Sequence, residues 1–378
     1  MGILEDTYKK TENIEEKFKH KRVLFIGSES YDSATICIIE GLNKIGFEIL
    51  VYKKRNINSW FCNTIISNLD NIENNIDFIM SNLHWGTRWS LYNKFNNKVP
   101  YILIDGDDRI HGNTISDWKV KYINNCKNYK FNPSEEIKDM ELSPYRWMDT
   151  IGNYKPDKVF MSQKYKINKE CIYLPFGIHE QYLKYNKNLN CNKREHDIIN
   201  IPGTVHYYRG KITNILNNLK TTYKIFNSRI YGNKDIYNNT ISNLCNNDKN
   251  IHSWHRWNMN KNYYDILNNG KILISPPVDK YNAPGWESKR PYEALASGCL
   301  ILFHKQPDFD NSQYPLQELC DICEFEHENY DQMIEQCEKL LKNPTILEQK
   351  RKECYGNAIK YFTSEPIARF FLWNIINN

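Results

Sequence analysis

No stretch of this 378-residue chain approaches the roughly 18 consecutive apolar residues that a membrane-spanning helix needs. Nor does an early apolar run flanked by basic residues mark a secretory signal, and Asp6 stands where the Met-Gly-x-x-x-Ser/Thr acylation pattern requires a hydroxyl. Any membrane contact is therefore expected to be peripheral. Eleven cysteines are present, but they are scattered and form no dense framework, which suits a reducing, cytoplasmic compartment. Charge of one sign is also lacking: the formal net charge is +5, with Lys and Arg dispersed among Asp and Glu. That balance gives no reason to expect a nucleic-acid partner and remains compatible with small anionic substrates.

Several catalytic signatures are missing as well. The first β-α turn reads Gly27-Ser-Glu-Ser-Tyr-Asp32, without the G-x-G-x-x-G that lets a dinucleotide pyrophosphate lie against a helix, so a nicotinamide oxidoreductase is not indicated. No Gly-x-Ser-x-Gly elbow and no Walker loop occur. His252-x-x-His255 and Cys320-x-x-Cys323 have the look of metal-ligand pairs, but they lie far apart in the chain and read more simply as core or surface residues. No short internal repeat or low-complexity tract interrupts the chain.

What is present is an alternation of apolar strands and helices. A length of 378 residues suits two α/β domains of roughly 180 residues each. Residues 1–20 are charged and read as an arm or exposed helix. Strands are expected at Arg22–Ile26, Phe47–Tyr52, Phe78–Asn82, Tyr101–Asp105 and Lys158–Ser162, with a helix over Ser33–Lys44 closed by Gly46. These form a first parallel, doubly wound domain over residues 21–183. After Pro175-Phe-Gly-Ile178, a polar linker over 184–197 leads to a second domain, 198–362. Its strands are expected at Ile198–Ile201, Arg229–Tyr231, Lys271–Ser275 and Cys299–Phe303, and a last apolar helix falls within 363–378.

The most informative stretch is Trp286-Glu-Ser-Lys-Arg-Pro-Tyr-Glu-Ala-Leu-Ala-Ser-Gly-Cys-Leu-Ile-Leu-Phe303. A helix is predicted from Arg290 to Ser297, with Pro291 in its first turn and Gly298 just past its end, followed by a buried strand. Helix-terminal amides with Lys289 and Arg290 suit an anion, while Glu293 can accept hydrogen bonds from hydroxyls. A nucleoside diphosphate offers both. The phrase Arg290-Pro-Tyr292-Glu293-Ala-Leu-Ala-Ser-Gly298 resembles the donor-binding motif of GT-B glycosyltransferases of the group-1 type, and most closely the CgeB-like spore-maturation family. By that resemblance Glu293 holds the ribose, and Trp286, Glu287, Lys289, Arg290 and Tyr292 line the donor nucleotide sugar. The first glutamate of the family motif has no counterpart: Gly285 occupies its slot and Glu287 is the nearest upstream acid.

Other phrases take their places in the same scheme. Gly203-Thr204-Val-His-Tyr-Tyr-Arg209-Gly-Lys211 follows the first strand of the second domain and precedes a helix over Ile212–Leu219. Its glycine allows close backbone approach, and Arg209 with Lys211 can neutralise a departing pyrophosphate. Ser253-Trp254-His-Arg-Trp257 lies where the family places its nucleobase pocket, ahead of a helix over Asn260–Leu267. In the first domain, Asp105-Gly-Asp107 and Asn82-Leu-His84 each follow a strand, at the carboxyl edge where open α/β sheets bind ligands. Asp107 or Asp105 can take the acceptor's proton, and His84 can contact the leaving phosphate.

The resemblance implies a GT-B fold: two Rossmann-like domains facing a cleft, with the last helix crossing back to the first domain. It implies metal-independent transfer of a sugar from a nucleoside diphosphate sugar, which is a substrate and not a cofactor, to a glycan, protein or lipid-linked acceptor. Two other readings stand beside it. The Gly285 substitution admits a sugar-nucleotide-binding module that has lost catalysis and partners an active enzyme. Asp105-x-Asp107 also spells the metal motif of GT-A enzymes, but a second β/α series has no place in that fold.

Overall fold

In the computed structural model, residues 2–26, 33–52, 64–82, 98–105, 157–162, 171–178, 183, 193–201, 207–227, 261–274, 289–304, 314–319, 324–325 and 329–378 are described. Their strands form two sheets in which every described pairing is parallel.

The first sheet contains β1 (Arg22–Ile26), β2 (Glu48–Tyr52), β3 (Thr64–Ile66), β4 (Phe78–Asn82), β5 (Tyr101–Asp105), β6 (Lys158–Met161) and β7 (Cys171–Tyr173). Its spatial order is β3-β2-β1-β4-β5-β6-β7. The order therefore reverses between β1 and β4, as in a Rossmann sheet. The central strands are apolar runs with both faces buried, as a parallel sheet requires: Phe25 packs in one core cluster and Leu24 and Ile26 in the other. Phe78, Ile79 and Met80 are buried to within 1% of complete.

The second sheet contains β8 (His196–Asn200), β9 (Ile225–Asn227), β10 (Gly270–Ile274), β11 (Leu300–His304) and β12 (Glu324–Phe325), in the order β12-β11-β10-β8-β9. Here the reversal lies between β8 and β10. β9 begins at Ile225, ahead of the strand expected at Arg229–Tyr231. Ile225 registers with Ile198 and Phe226 with Ile199, so pairing to the neighbouring strand decides the edge. Arg229–Tyr231 itself lies outside the described residues.

The helices are α1 (Gly2–Thr11), α2 (Ser33–Lys44), α3 (Tyr207–Asn218), α4 (Lys261–Asn269), α5 (Arg290–Ala296), α6 (Tyr330–Leu341), α7 (Pro344–Phe362) and α8 (Ser364–Asn377). α8 returns from the second sheet to the first. Ile178 and Thr363 form a parallel bridge, the Ile178 amide donating to the Phe362 carbonyl at 2.6 Å. Gly177 permits this approach: its φ is +72°, and a Cβ there would stand 2.4 Å from Cys37 Sγ. α8 then packs on α2, placing Phe371 against Phe78 and Phe160 of the first sheet. Two Rossmann-like units with the last helix returned onto the first constitute the GT-B layout.

The N-terminal segment departs from the expected exposed arm. α1 is docked: Leu4 and Thr11 are buried, the Leu4 amide donates to Glu318 Oε2 at 3.0 Å, and Lys360 donates to Glu5 at 2.8 Å. Just beyond it, buried Glu15 pairs with Arg369 at 2.9 Å. Two of the acidic residues that made the segment read as solvent-exposed, Glu5 and Glu15, are partners for cations more than 350 positions away. Among the described residues, no helix is long and apolar enough to cross a membrane.

Candidate functional site

The site follows from the two order reversals. At such a point, the connections leaving adjacent strands run to opposite faces and open a crevice outside the strands' carboxyl ends. In the second unit the strands concerned are β8 and β10. Gly203 and Thr204 follow β8 in the chain, whereas Lys289, Arg290 and Glu293 follow β10. In the first unit, His84 follows β4, and Asp105 is the last residue of the adjacent β5. Of these, Asp105 ends β5 at the carboxyl edge of the first sheet, and Lys289, Arg290 and Glu293 lie at the start of α5; His84, Gly203 and Thr204 lie outside the described residues.

α5 is the best defined part. Lys289, half-buried, precedes the helix, and its carbonyl accepts from the Tyr292 and Glu293 amides at 3.0 and 3.1 Å. Arg290 is half-buried and Pro291 occupies the first turn, where no amide donor is needed. Glu293 sits in that turn and is 0% exposed. An acidic group there gains from the partial positive charge of the helix start, and a carboxylate is rarely withdrawn from water unless it is paired.

The other end of α5 is closed with comparable care. Gly298 adopts φ +67°, its amide donates to Leu295 O at 2.9 Å, and the Cys299 amide donates to Ala294 O at 2.9 Å. This is a Schellman cap, which needs a left-handed residue just past the helix end and so explains the glycine. Two buried guanidinium groups complete it. Arg194 Nη2 donates to Ser297 O at 2.5 Å, and Arg351 Nε donates to Gly298 O at 2.7 Å. Cations suit the partial negative charge at a helix C-terminus, and charged hydrogen bonds of this kind contribute about 1.5–3 kcal/mol each.

Tyr292, expected beside the donor, has its ring wholly in the core. Its centroid lies 6.3 Å from that of Phe176 and 5.7 Å from that of Phe362. Tyr314 continues the contact, at 5.1 Å from Phe362 and 4.8 Å from Phe370. This aromatic chain joins the exit segment of the first unit to the motif helix and the returning tail.

Lys211 lies half-buried in α3, five positions into a helix that starts earlier than expected, at Tyr207. Arg209 belongs to the first turn of the same helix. His84, Asp107, Gly203, Thr204, Ser253, Trp254, Trp286 and Glu287 lie outside the described residues, as do His252, His255, Cys320 and Cys323. Among the described residues, no group of three or more His, Cys, Asp or Glu is arranged to hold a metal ion.

Sequence reasoning missed Asn200, the last residue of β8. It is 1% exposed, and its Nδ2 donates to Thr213 Oγ1 of α3 at 3.1 Å. Its Oδ1 is buried with no hydrogen-bond donor among the described residues. An amide closing an apolar strand shortly before the Pro202-Gly203 pair in the sequence was the available signal. Arg194 and Arg351 were missed too, and had no such signal, because their partners are backbone carbonyls.

No family model and no curated protein matches the sequence. Solved structures similar to this one include Anabaena HepE in complex with UDP, at 9% identity and a TM-score of 0.47, covering 94% of this chain and 100% of that one. The calicheamicin glycosyltransferase CalG4 is similar at 6% identity and a TM-score of 0.39, covering 94% of this chain and 97% of that one. UDP-GlcNAc 2-epimerase from Neisseria meningitidis, bound to UDP-GlcNAc, is similar at 11% identity and a TM-score of 0.40, covering 94% and 100% of the two chains. These likenesses concern general layout, and no residue of the site is assigned from them.

Proposed function

We propose that the protein is a glycosyltransferase of the group-1 type, within it closest to the CgeB-like family, that moves a sugar from a nucleoside diphosphate sugar to an acceptor hydroxyl. The supporting observation is that Lys289, Arg290 and buried Glu293 stand together at the opening of α5, the helix that precedes β11 in the second sheet. In this reading residues 198–362 form the donor domain and 21–183 the acceptor domain, joined by the linker 184–197 and by the crossing helix within 363–378.

Glu293 accepts hydrogen bonds from the ribose hydroxyls. Arg209, Lys289 and Arg290, with the positive end of α5, face the diphosphate. As the acceptor oxygen bonds to the anomeric carbon, the bond from that carbon to the diphosphate oxygen breaks, and negative charge grows on the leaving group. Fixed cations stabilise that charge more in the transition state than in the ground state, which is the condition for acceleration. They also supply what a divalent metal supplies elsewhere, so transfer is metal-independent. The acceptor's proton passes to Asp107, Asp105 or His84.

A thermal-shift panel of UDP, GDP, dTDP and CMP sugars tests the reading, since a ligand selective for the folded state raises stability by RT ln(1 + [L]/Kd). One base should stand out, and the same donor should be hydrolysed slowly or transferred. A chain that none of these compounds stabilises is not a nucleotide-sugar enzyme.

A further inference from the structure

We propose that Arg194 and Arg351 are positioning residues for Glu293: from the far end of α5 they hold the helix that presents this carboxylate. The proposal rests on the reading of Glu293 as a donor ligand, and it adds two residues that lie outside the sequence motif.

α5 has seven residues, too few to persist as an isolated helix. Tyr292 to Ser297 are each at most 1% exposed, so water cannot satisfy the last carbonyls. Arg194 satisfies the C-cap carbonyl of Ser297, and Arg351 takes the next one, Gly298 O; the two are themselves 4% and 2% exposed. Arg194 donates through Nη1 to Leu267 O at 3.0 Å and to Gly270 O at 2.6 Å, so one guanidinium ties the ends of α4 and α5 to the start of β10. Arg351 comes from α7, where Glu348 orients it at 2.8 Å. Glu293 stands only about 7 Å along the helix axis from Gly298, at a rise of roughly 1.5 Å per residue. A rigid rod of that length transmits any tilt at the arginine end to the carboxylate, because its sides are packed on all faces.

The test uses Arg351→Met, Arg351→Lys and Arg194→Lys in the full chain, with Arg369→Met as a control that breaks the buried Glu15 pair elsewhere. Amide exchange over residues 290–299 is followed without ligand, and affinity for UDP, GDP and dTDP is measured by calorimetry. Arg351→Met should speed exchange in that segment and lower nucleotide affinity by about 10-fold, the scale of one lost charged hydrogen bond. Arg351→Lys, which keeps the charge without the fork, should fall between. Arg369→Met should lower thermal stability while leaving both readouts unchanged. The loss must also act through Glu293: Arg351→Met in a Glu293→Ala background should cost little further affinity. Additive losses, or wild-type affinity in a folded Arg351→Met protein, would overturn the proposal. If Arg351→Met does not fold, Glu348→Gln removes only the orienting carboxylate and must show the same pattern in milder form. A wild type that binds none of the three nucleotides refutes the donor reading, while exchange over 290–299 still decides whether the arginines hold the helix.

Discussion

Gly41 of α2 lies directly against the backbone of Ser364 in α8: a Cβ at position 41 would stand 1.9 Å from the Ser364 carbonyl oxygen and 2.6 Å from Ala368 Cβ. Ser364 also donates its hydroxyl to Glu40 at 2.7 Å, so the returning helix meets the first unit through backbone contact and a buried polar bond. Gly41→Ala must separate the two helices, since a backbone carbonyl cannot rotate away. Denaturant unfolding should show a loss of about 3 kcal/mol or more, at the upper end of overpacking effects. Wild-type stability in this variant would mean that the helices do not meet in this way.

Glu293→Ala should weaken nucleotide binding about 10-fold to 100-fold, the equivalent of roughly 1.5–3 kcal/mol for a charge-assisted hydrogen bond. Calorimetry on the folded variant is the measurement. Unchanged affinity would remove Glu293 from the donor site.

Replacing Arg290 or Arg209 by Ala should lower kcat more than it raises the donor KM, because the charge they offset develops as the diphosphate departs. Lys should restore only part of the activity at either position. Steady-state kinetics with equal wild-type and variant turnover would discard both assignments.

If Asp107 takes the acceptor's proton as proposed, Asp107→Asn should abolish transfer and leave nucleotide affinity nearly intact. If Asp107 instead held a metal on the diphosphate, the variant would lose donor binding and the wild type would fail in chelator. Paired binding and chelator assays separate the two outcomes.

Acid should loosen the docked N-terminal helix. Hydrogen bonds from Lys360 and Tyr361 hold the Glu5 carboxyl down to about 2, against an ordinary value of 4.5. A carboxylate depressed on folding contributes its stability fully above pH 4.5, and loses it as pH falls towards 2. Thermal melts across that window should therefore fall more steeply for wild type than for Glu5→Gln. Identical pH profiles would show that the Glu5 contacts do not contribute.

Much of the architecture was legible from local pattern. Strands over Arg22–Ile26, Phe78–Asn82 and Tyr101–Asp105 and the helix over Ser33–Lys44 have the bounds their apolar periodicity indicates. The Pro291 start and Gly298 end of α5 were legible for the same reason: φ preference and a missing amide are properties of single residues. Short edge strands were not. β3, β7 and β12 span three, three and two residues, too few for a period to register, and they exist because a neighbouring strand offers donors and acceptors.

The sequence by itself thus determined the alternation of elements, the motif helix and its caps, because these depend on residues within a few positions of one another. Only the tertiary structure decided the strand orders that bring β8 beside β10, and the docking of the N-terminal segment through Glu5 and Glu15. It likewise turned Tyr292 inward, and it set Arg194 and Arg351 behind α5. These relationships join segments tens to hundreds of residues apart, and their energetics depend on burial. A guanidinium in water and one closing the end of a buried helix are the same letter in the chain; removal of the helix carbonyls from solvent makes the second a structural necessity.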